Sequence, residues 1–337
     1  MAKGKKITVT GTKEIWTGTK GNDTINVKGS KSYNIDAKGG NDTITVYKGN
    51  KHYISTGNSG KNEVIIKSGN GHTVIGGYDT NAKGSDVITI NKGKHHWING
   101  GFRKKTTVNL KGGNVDAIIT WQGNDEIKIS GKATVSNKAW QYTRTEKCGI
   151  DTGSGKDKVT FEASAGSGAI VYTGAGNDTI TIKGGNKQQI HTGAGTDTVK
   201  VFGGTGHKIY LDEGTNKVTL SNSKATIFTG YAATDKITIN WKKGKTNNYT
   251  IDTPQTISNA TVKLDTLRIS GIKSDAFKFA ENNNGALVMS TGDGRITISN
   301  FDEAWKWDYF GLSFANGITF DDKTLSLDEI SKKVSIV

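Results

Sequence analysis

Short runs of strict apolar–polar alternation recur along the chain, each preceded by a glycine-rich turn. Examples are Thr24-Ile25-Asn26-Val27, Thr43-Ile44-Thr45-Val46, Thr179-Ile180-Thr181-Ile182 and Thr198-Val199-Lys200-Val201. Alternation with period two sends Ile and Val to one face and Thr, Asn or Lys to the other, which predicts half-buried strands. Between these runs lies a second set, ending alike: Tyr53-Ile54-Ser55-Thr56-Gly57, Ile150-Asp151-Thr152-Gly153, Ile190-His191-Thr192-Gly193 and Ile227-Phe228-Thr229-Gly230. Each period therefore reads strand, turn, strand, turn.

Aligned on the residue before the first strand, the copies form a ladder: Asp23, Asp42, Asn62, Asp86, Thr106, Asp125, Asp157, Asp178, Asp197, Asn216 and Asp235, with one blurred turn near Trp140. The mean step is about 19 residues, which leaves room for two strands and two tight turns. One such coil cannot bury its apolar face, whereas coils stacked about 4.8 Å apart build a narrow continuous core. The expected fold is all-β: a two-sheet parallel β-roll or β-solenoid of about twelve coils, on the order of 55 Å long. The expected organisation is a cap or first strand over 1–17, the roll over 18–245, and a small β-rich capping domain over 246–337.

Composition narrows the class. Hydrophobic residues make up 33 % of 337, with 45 Gly and one Pro, too lean for an ordinary globular core but too regular for disorder. The single cysteine, Cys148, excludes an intrachain disulfide framework. No N-terminal apolar run marks a signal peptide, and no stretch reaches transmembrane length. The formal charge is +14. Residues 246–337 hold 9 basic and 12 acidic side chains, so the excess lies in 1–245. A lysine-rich surface either keeps the protein soluble or attracts a polyanion such as an acidic polysaccharide or an anionic cell surface. Only four arginines, Arg103, Arg144, Arg268 and Arg295, argue against specific nucleic-acid readout.

The turns carry a family resemblance. Gly174, Gly176, Asp178 and Ile180 match the nonapeptide Gly-Gly-x-Gly-x-Asp-x-apolar-x, as do Gly193, Gly195, Asp197 and Val199. Gly153, Gly155, Asp157 and Val159 match as well, and Gly39, Gly40, Asp42 and Ile44 nearly so. This resembles the RTX (repeats-in-toxin, haemolysin-type calcium-binding repeat) proteins. The resemblance implies Ca²⁺ between stacked turns, held by neighbouring Asp carboxylates and turn carbonyls, which suits a cation that takes six to eight hard oxygens. The metal residues implied are Asp23, Asp42, Asp157, Gly174, Gly176, Asp178, Gly193, Gly195 and Asp197. Asn62, Thr106 and Asn216 are expected to replace metal with hydrogen-bonded side-chain stacks. The chain departs from the family in its basic charge and in carrying the Asp ladder on one edge only.

On the opposite edge the equivalent positions include Tyr33, His52, His72, His96, Asp116, Ala133, Cys148, Gly168, Gln188, His207 and Ala225. The rings of His52, His72 and His96 can stack there, either as a transition-metal site or pH-sensitive edge, or as a polar ladder on a solvent-facing corner. No catalytic signature emerges. There is no His-Glu-x-x-His, no Gly-x-Ser-x-Gly, and Gly153-Ser154-Gly155-Lys156 is a repeat turn rather than a phosphate loop. A non-enzymatic role is expected. The weaker alternatives are a polysaccharide-modifying enzyme, for which no groove of acid, base and aromatic residues is found, and an ice-binding surface, whose threonine array is broken by Lys128, Lys158 and Lys200.

Past Trp241 the composition changes. Leu287–Met289 and Arg295–Phe301 around Gly292-Asp293-Gly294 predict a hairpin, and Phe310–Phe314 with Ile318–Phe320 around Asn316-Gly317 another. Phe301, Trp305, Trp307, Tyr309 and Phe310 are expected to form a small capping core. The segment is similar to the C-terminal module of RTX proteins exported by type I secretion. That implies a partner in the type I machinery and an extracellular or cell-surface location, where calcium is abundant.

Overall fold

The computed structural model describes residues 3–140, 147–230, 234–252, 265–299 and 317–336. The chain is all-β, a parallel β-solenoid, and its coils divide into two compact units, 1–175 and 176–337.

In the first unit one sheet is built from Lys6–Val9, Thr24–Val27, Thr43–Val46, Lys61–Ile66, Ser85–Ile90, Lys105–Leu110, Glu126–Ile129 and Lys158–Phe161. The pairing is parallel and in register: Ile25 faces Ile44, Ile44 faces Val64, and Val64 faces Ile88. The opposing sheet starts at Ile15–Thr17 and runs through Asn34–Asp36, Tyr53–Ser55, Thr73–Gly77, His96–Gly101 and Asn114–Ile119. Ile and Val from both sheets fill the space between them. Ile25, Ile44, Val64, Ile88 and Val108 of one sheet and Ile35, Ile54, Val74 and Ile98 of the other are 0–1 % exposed. Each such side chain contributes about 1.5–3 kcal/mol by leaving water.

The blurred turn near Trp140 is an excursion from one strand position. Thr134–Val135 and Ile150–Asp151 both pair with Asn114–Ile119, at opposite ends of it. Between them the chain makes an antiparallel pair, Ala139–Trp140 with Lys147–Cys148. This is why the ladder steps 32 residues from Asp125 to Asp157. Cys148 is therefore no member of the histidine-edge ladder. It packs with Ala117 and Tyr172 in a cluster that Trp97, Ile119 and Ile170 border. Fully buried, with its thiol pushed up to about 12 by burial, Cys148 should resist a thiol-reactive dye in the native protein. Labelling should appear only on unfolding, which a denaturant series followed by mass spectrometry would show.

In the second unit Thr179–Ile182, Thr198–Val201, Lys217–Leu220, Lys236–Asn240 and Thr266–Ser270 form one parallel sheet. Gln189–His191, Thr205–Leu211, Ser223–Thr229, Asn247–Asp252 and Gly294–Ile298 form the other. Parallel pairing is also seen past residue 245, where Lys236–Asn240 pairs with Thr266–Ser270 and Asn247–Asp252 with Gly294–Ile298. The Asp ladder gains a further member, Asp265, after a 30-residue step. The hairpin around Asp293 is present, Leu287–Thr291 antiparallel to Gly294–Ile298. Ile318–Thr319 pairs with Thr324–Leu325 and with Leu267–Arg268. Its expected partner Phe310–Phe314 and the aromatic cluster from Phe301 to Phe310 lie outside the described residues.

Candidate functional site

The two edges where strands turn carry columns of buried polar side chains. On one edge each unit has its own run of the ladder: Asp23, Asp42, Asn62, Asp86, Thr106, Asp125 and Asp157, then Asp178, Asp197, Asn216, Asp235 and Asp265. All are 0–3 % exposed. The burial has a main-chain cause. Thr106 and Asp86 stand apart: the buried Thr106 hydroxyl has no hydrogen-bond partner and so forms no expected stack, and Asp86 Oδ1 takes the Asn62 side-chain amide. At most other turns Oδ1 accepts the backbone N–H of the ladder residue one coil earlier: Asp23 to Asp42 at 2.7 Å, Asp42 to Asn62 at 3.0 Å, Asp125 to Asp157 at 2.7 Å, Asp178 to Asp197 at 2.7 Å and Asp235 to Asp265 at 2.7 Å. These N–H groups leave the sheet at the turn and need acceptors there. An inward carboxylate or amide one coil later supplies them.

The second oxygens differ from turn to turn. Both oxygens of Asp23 are taken: Lys5 N–H donates to Oδ1, and Thr19 donates its N–H to Oδ2 and its hydroxyl to both. Asn62 replaces the second oxygen with Nδ2, which donates to the carbonyls of Thr56 and Ser59 and to Asp86 Oδ1 at 3.0–3.3 Å. Asn62 is thus hydrogen-bonded as expected of it, and Asn216 accepts from Asp197 in the same manner. By contrast, Asp42 Oδ2 is buried with no hydrogen-bond partner. The second oxygens of Asp125 and Asp197 are likewise buried with no hydrogen-bond partner. Burial pushes the Asp42 carboxyl up to about 6 and those of Asp125 and Asp197 up to about 7. A buried carboxylate in this state needs a proton or a cation.

One turn carries its own cation. Arg103 is fully buried, and its guanidinium donates to Asp86 Oδ2 at 3.2 Å, to Thr56 Oγ1 at 3.3 Å and to the carbonyls of Lys83 and Gly57 at 2.7 and 2.5 Å. A carboxylate, a hydroxyl and two main-chain carbonyls converging on one positive group is the donor set that a hard cation takes. The sequence pattern did not mark Arg103 as a ladder partner, because it reads as an ordinary turn residue. It did show the recurring Thr56, Thr152 and Thr192 before glycine, but not that these threonines are buried.

The glycines of the signature have a stacking role. Gly174, Gly176, Gly193 and Gly195 have φ between 80° and 145°. A Cβ on Gly195 would stand 1.6 Å from the Gly176 carbonyl oxygen, and one on Gly155 equally close to that of Gly123. The close approach of successive turns accounts for glycine here without any ligand. Among the described residues, no group of three or more His, Cys, Asp or Glu side chains is placed to hold a metal ion. The fit to calcium is therefore partial. It holds where a buried carboxylate oxygen lacks a donor, at Asp42, Asp125 and Asp197. It fails at Asp23, whose oxygens are occupied, and at Asp86, where Arg103 stands. Asp157 and Asp178 share the burial and backbone contacts of the ladder.

On the other edge Tyr33, His52, His72 and His96 stack, with centroids 5.3, 4.7 and 5.1 Å apart and planes within 16°. The corner is not solvent-facing: these rings are 0–2 % exposed. Each Nδ1 accepts the N–H of the residue one coil earlier at 3.2–3.3 Å, and each Nε2 lies 3.1–3.3 Å from the carbonyl four residues before it. Since Nδ1 must accept, Nε2 carries the proton and the rings are neutral. Both nitrogens are engaged, so the column is not a transition-metal site. His207 repeats the pattern in the second unit, accepting from Gln188 and facing the Gly203 carbonyl. Asp116 leaves this column, because the register shifts at His96 and places Val115 opposite it.

These features define a parallel β-solenoid with two internal polar spines, one acidic and one imidazole. The chain matches no protein-family model and no curated protein. No helix among the described residues is long and apolar enough to cross a membrane.

Proposed function

We propose that this chain is a non-catalytic, RTX-like structural and binding module, exported by type I secretion and stabilised outside the cell by Ca²⁺ at a subset of its Asp turns. The observation that carries the cation reading is the set of buried carboxylate oxygens without an adequate donor at Asp42, Asp125 and Asp197. Comparable places elsewhere in the ladder are filled by the amide of Asn62 and the guanidinium of Arg103, both donors. Those three aspartates would hold the ions, and bound Ca²⁺ would supply the positive charge that the carboxylates otherwise obtain from protons. The export reading rests on the likeness of residues 286–330 to the C-terminal module named above.

The experiment is a Ca²⁺ titration of the chelator-stripped full chain near pH 8, read by far-ultraviolet circular dichroism and thermal melting. Saturation at about a hundredfold over Kd should add about 2.7 kcal/mol per site. Asp197→Asn should lower the response. A melting temperature indifferent to calcium in the parent protein would overturn the cation reading.

A further inference from the structure

We propose that a groove on the 176–337 unit binds an acidic polysaccharide, a linear sugar chain bearing carboxylate or sulfate groups. The groove encloses about 910 Å³, and every residue lining it belongs to this unit. Its floor consists of outward positions on three adjacent parallel strands, Ser223–Thr229, Asn247–Asp252 and Gly294–Ile298, and its wall is the turn from Ser290 to Gly294. Register sets Lys224, Asn248 and Arg295 in one row across the three strands, with Thr226 and Thr250 in the next. At about 4.8 Å per strand, Lys224 and Arg295 stand about 10 Å apart.

Lys245 adds a third cation to the lining. All three basic side chains are exposed, and none is in an ion pair among the described residues. The lining holds three cations against one carboxylate, Asp293. The remaining polar lining is hydroxyl and amide: Asn222, Thr246, Ser290 and Thr291 join the rows above. Unpaired cations over a trough attract an anion, while hydroxyl and amide groups exchange hydrogen bonds with sugar hydroxyls. A basic row that crosses three adjacent strands suits a chain rather than a compact small molecule.

A single-stranded nucleic acid would meet the same charge but needs exposed aromatic faces on which to stack. The one aromatic residue at the groove, Tyr249, is 2 % exposed. On the same sheet face His191, Tyr210 and Phe228 stack on one another at 4.3 and 4.4 Å, so their faces are largely covered by each other. None of the ladder aspartates lines the groove, so this site is independent of the cation reading.

The test is calorimetric titration of the full chain with hexagalacturonate, maltohexaose and hexathymidylate, at two salt concentrations. Binding of hexagalacturonate that weakens with salt, with none of maltohexaose, is expected. Lys224→Gln with Arg295→Gln should weaken it about tenfold, at an unchanged melting temperature. Lys20→Gln with Lys31→Gln removes the same charge from the first unit and should change affinity less than about twofold. Equal losses in the two double variants would mean net charge alone and would overturn the groove. So would tighter binding of hexathymidylate, or no binding of hexagalacturonate.

Discussion

Replacing Arg103 by methionine should destabilise the protein by about 3–5 kcal/mol, because it strands a buried carboxylate and two main-chain carbonyls without their donor. Arg103 and Asp86 both have fully buried side chains and meet at 3.2 Å. Burial pushes the Asp86 carboxyl up while the guanidinium charge pulls it down, so Arg103 keeps an anion tolerable in the core. The measurement is urea unfolding of the parent, Arg103→Met, Asp86→Asn and the double variant. The double variant should recover much of the loss, since the stranded charge is then gone. The guanidinium holds the donor set of a hard cation, so Arg103→Met should also respond to Ca²⁺ more strongly than the parent. A loss below about 1 kcal/mol, with no coupling to Asp86, would mean that the pair is incidental.

The second large effect is acid sensitivity of the histidine spine. Burial lowers the pKa of His52, His72, His96 and His207, and His72 falls to about 3, helped by repulsion from His52 and His96. Asp116 and His95 act on His96 in opposite directions. A histidine whose folded value lies below its unfolded value of about 6.5 contributes stability that is intact above pH 6.5 and lost as pH falls toward the folded value. His72 alone should cost about 3 kcal/mol by about pH 4.5. The aspartates pull the other way. With Asp42 and Asp235 raised to about 6, and Asp125 and Asp197 to about 7, their contribution is complete at low pH and is lost as pH rises through 6–7. The clean readout is therefore a difference. His72→Gln, which places at this position the residue that Gln188 supplies in the second unit's column, should have a shallower acid loss than the parent between pH 6.5 and 4.5. Parallel pH profiles for the two proteins would refute the assignment.

Much of this was legible in residue order. Alternation at Ile25–Val27 and Ile180–Ile182, repeated at one coil spacing, dictates parallel stacking, because only that arrangement buries every apolar face at once. The polar ladder could be aligned for the same reason: a period fixes which residues share an edge. What escaped were features set by departures from the period. The excursion ending at Cys148 and the long step from Asp235 to Asp265 hide coil members behind inserted residues. The one-residue shift at His96 moved Asp116 off the column where counting had put it.

The sequence by itself determined the solenoid, its two sheets, the glycine turns and the identity of the two polar edges, since all of these follow from a periodic pattern of burial. Only the tertiary structure decided what each polar edge does. Whether a carboxylate oxygen is capped by Thr19, an Asn62 amide, Arg103 or nothing depends largely on side chains from neighbouring coils, up to 30 residues away in the chain for Thr56 and Asp86. The histidines likewise became a neutral, buried spine only because an N–H of the previous coil claims Nδ1 while the carbonyl four residues earlier claims Nε2. The full set of partners is brought together by stacking, and no single coil contains all of it.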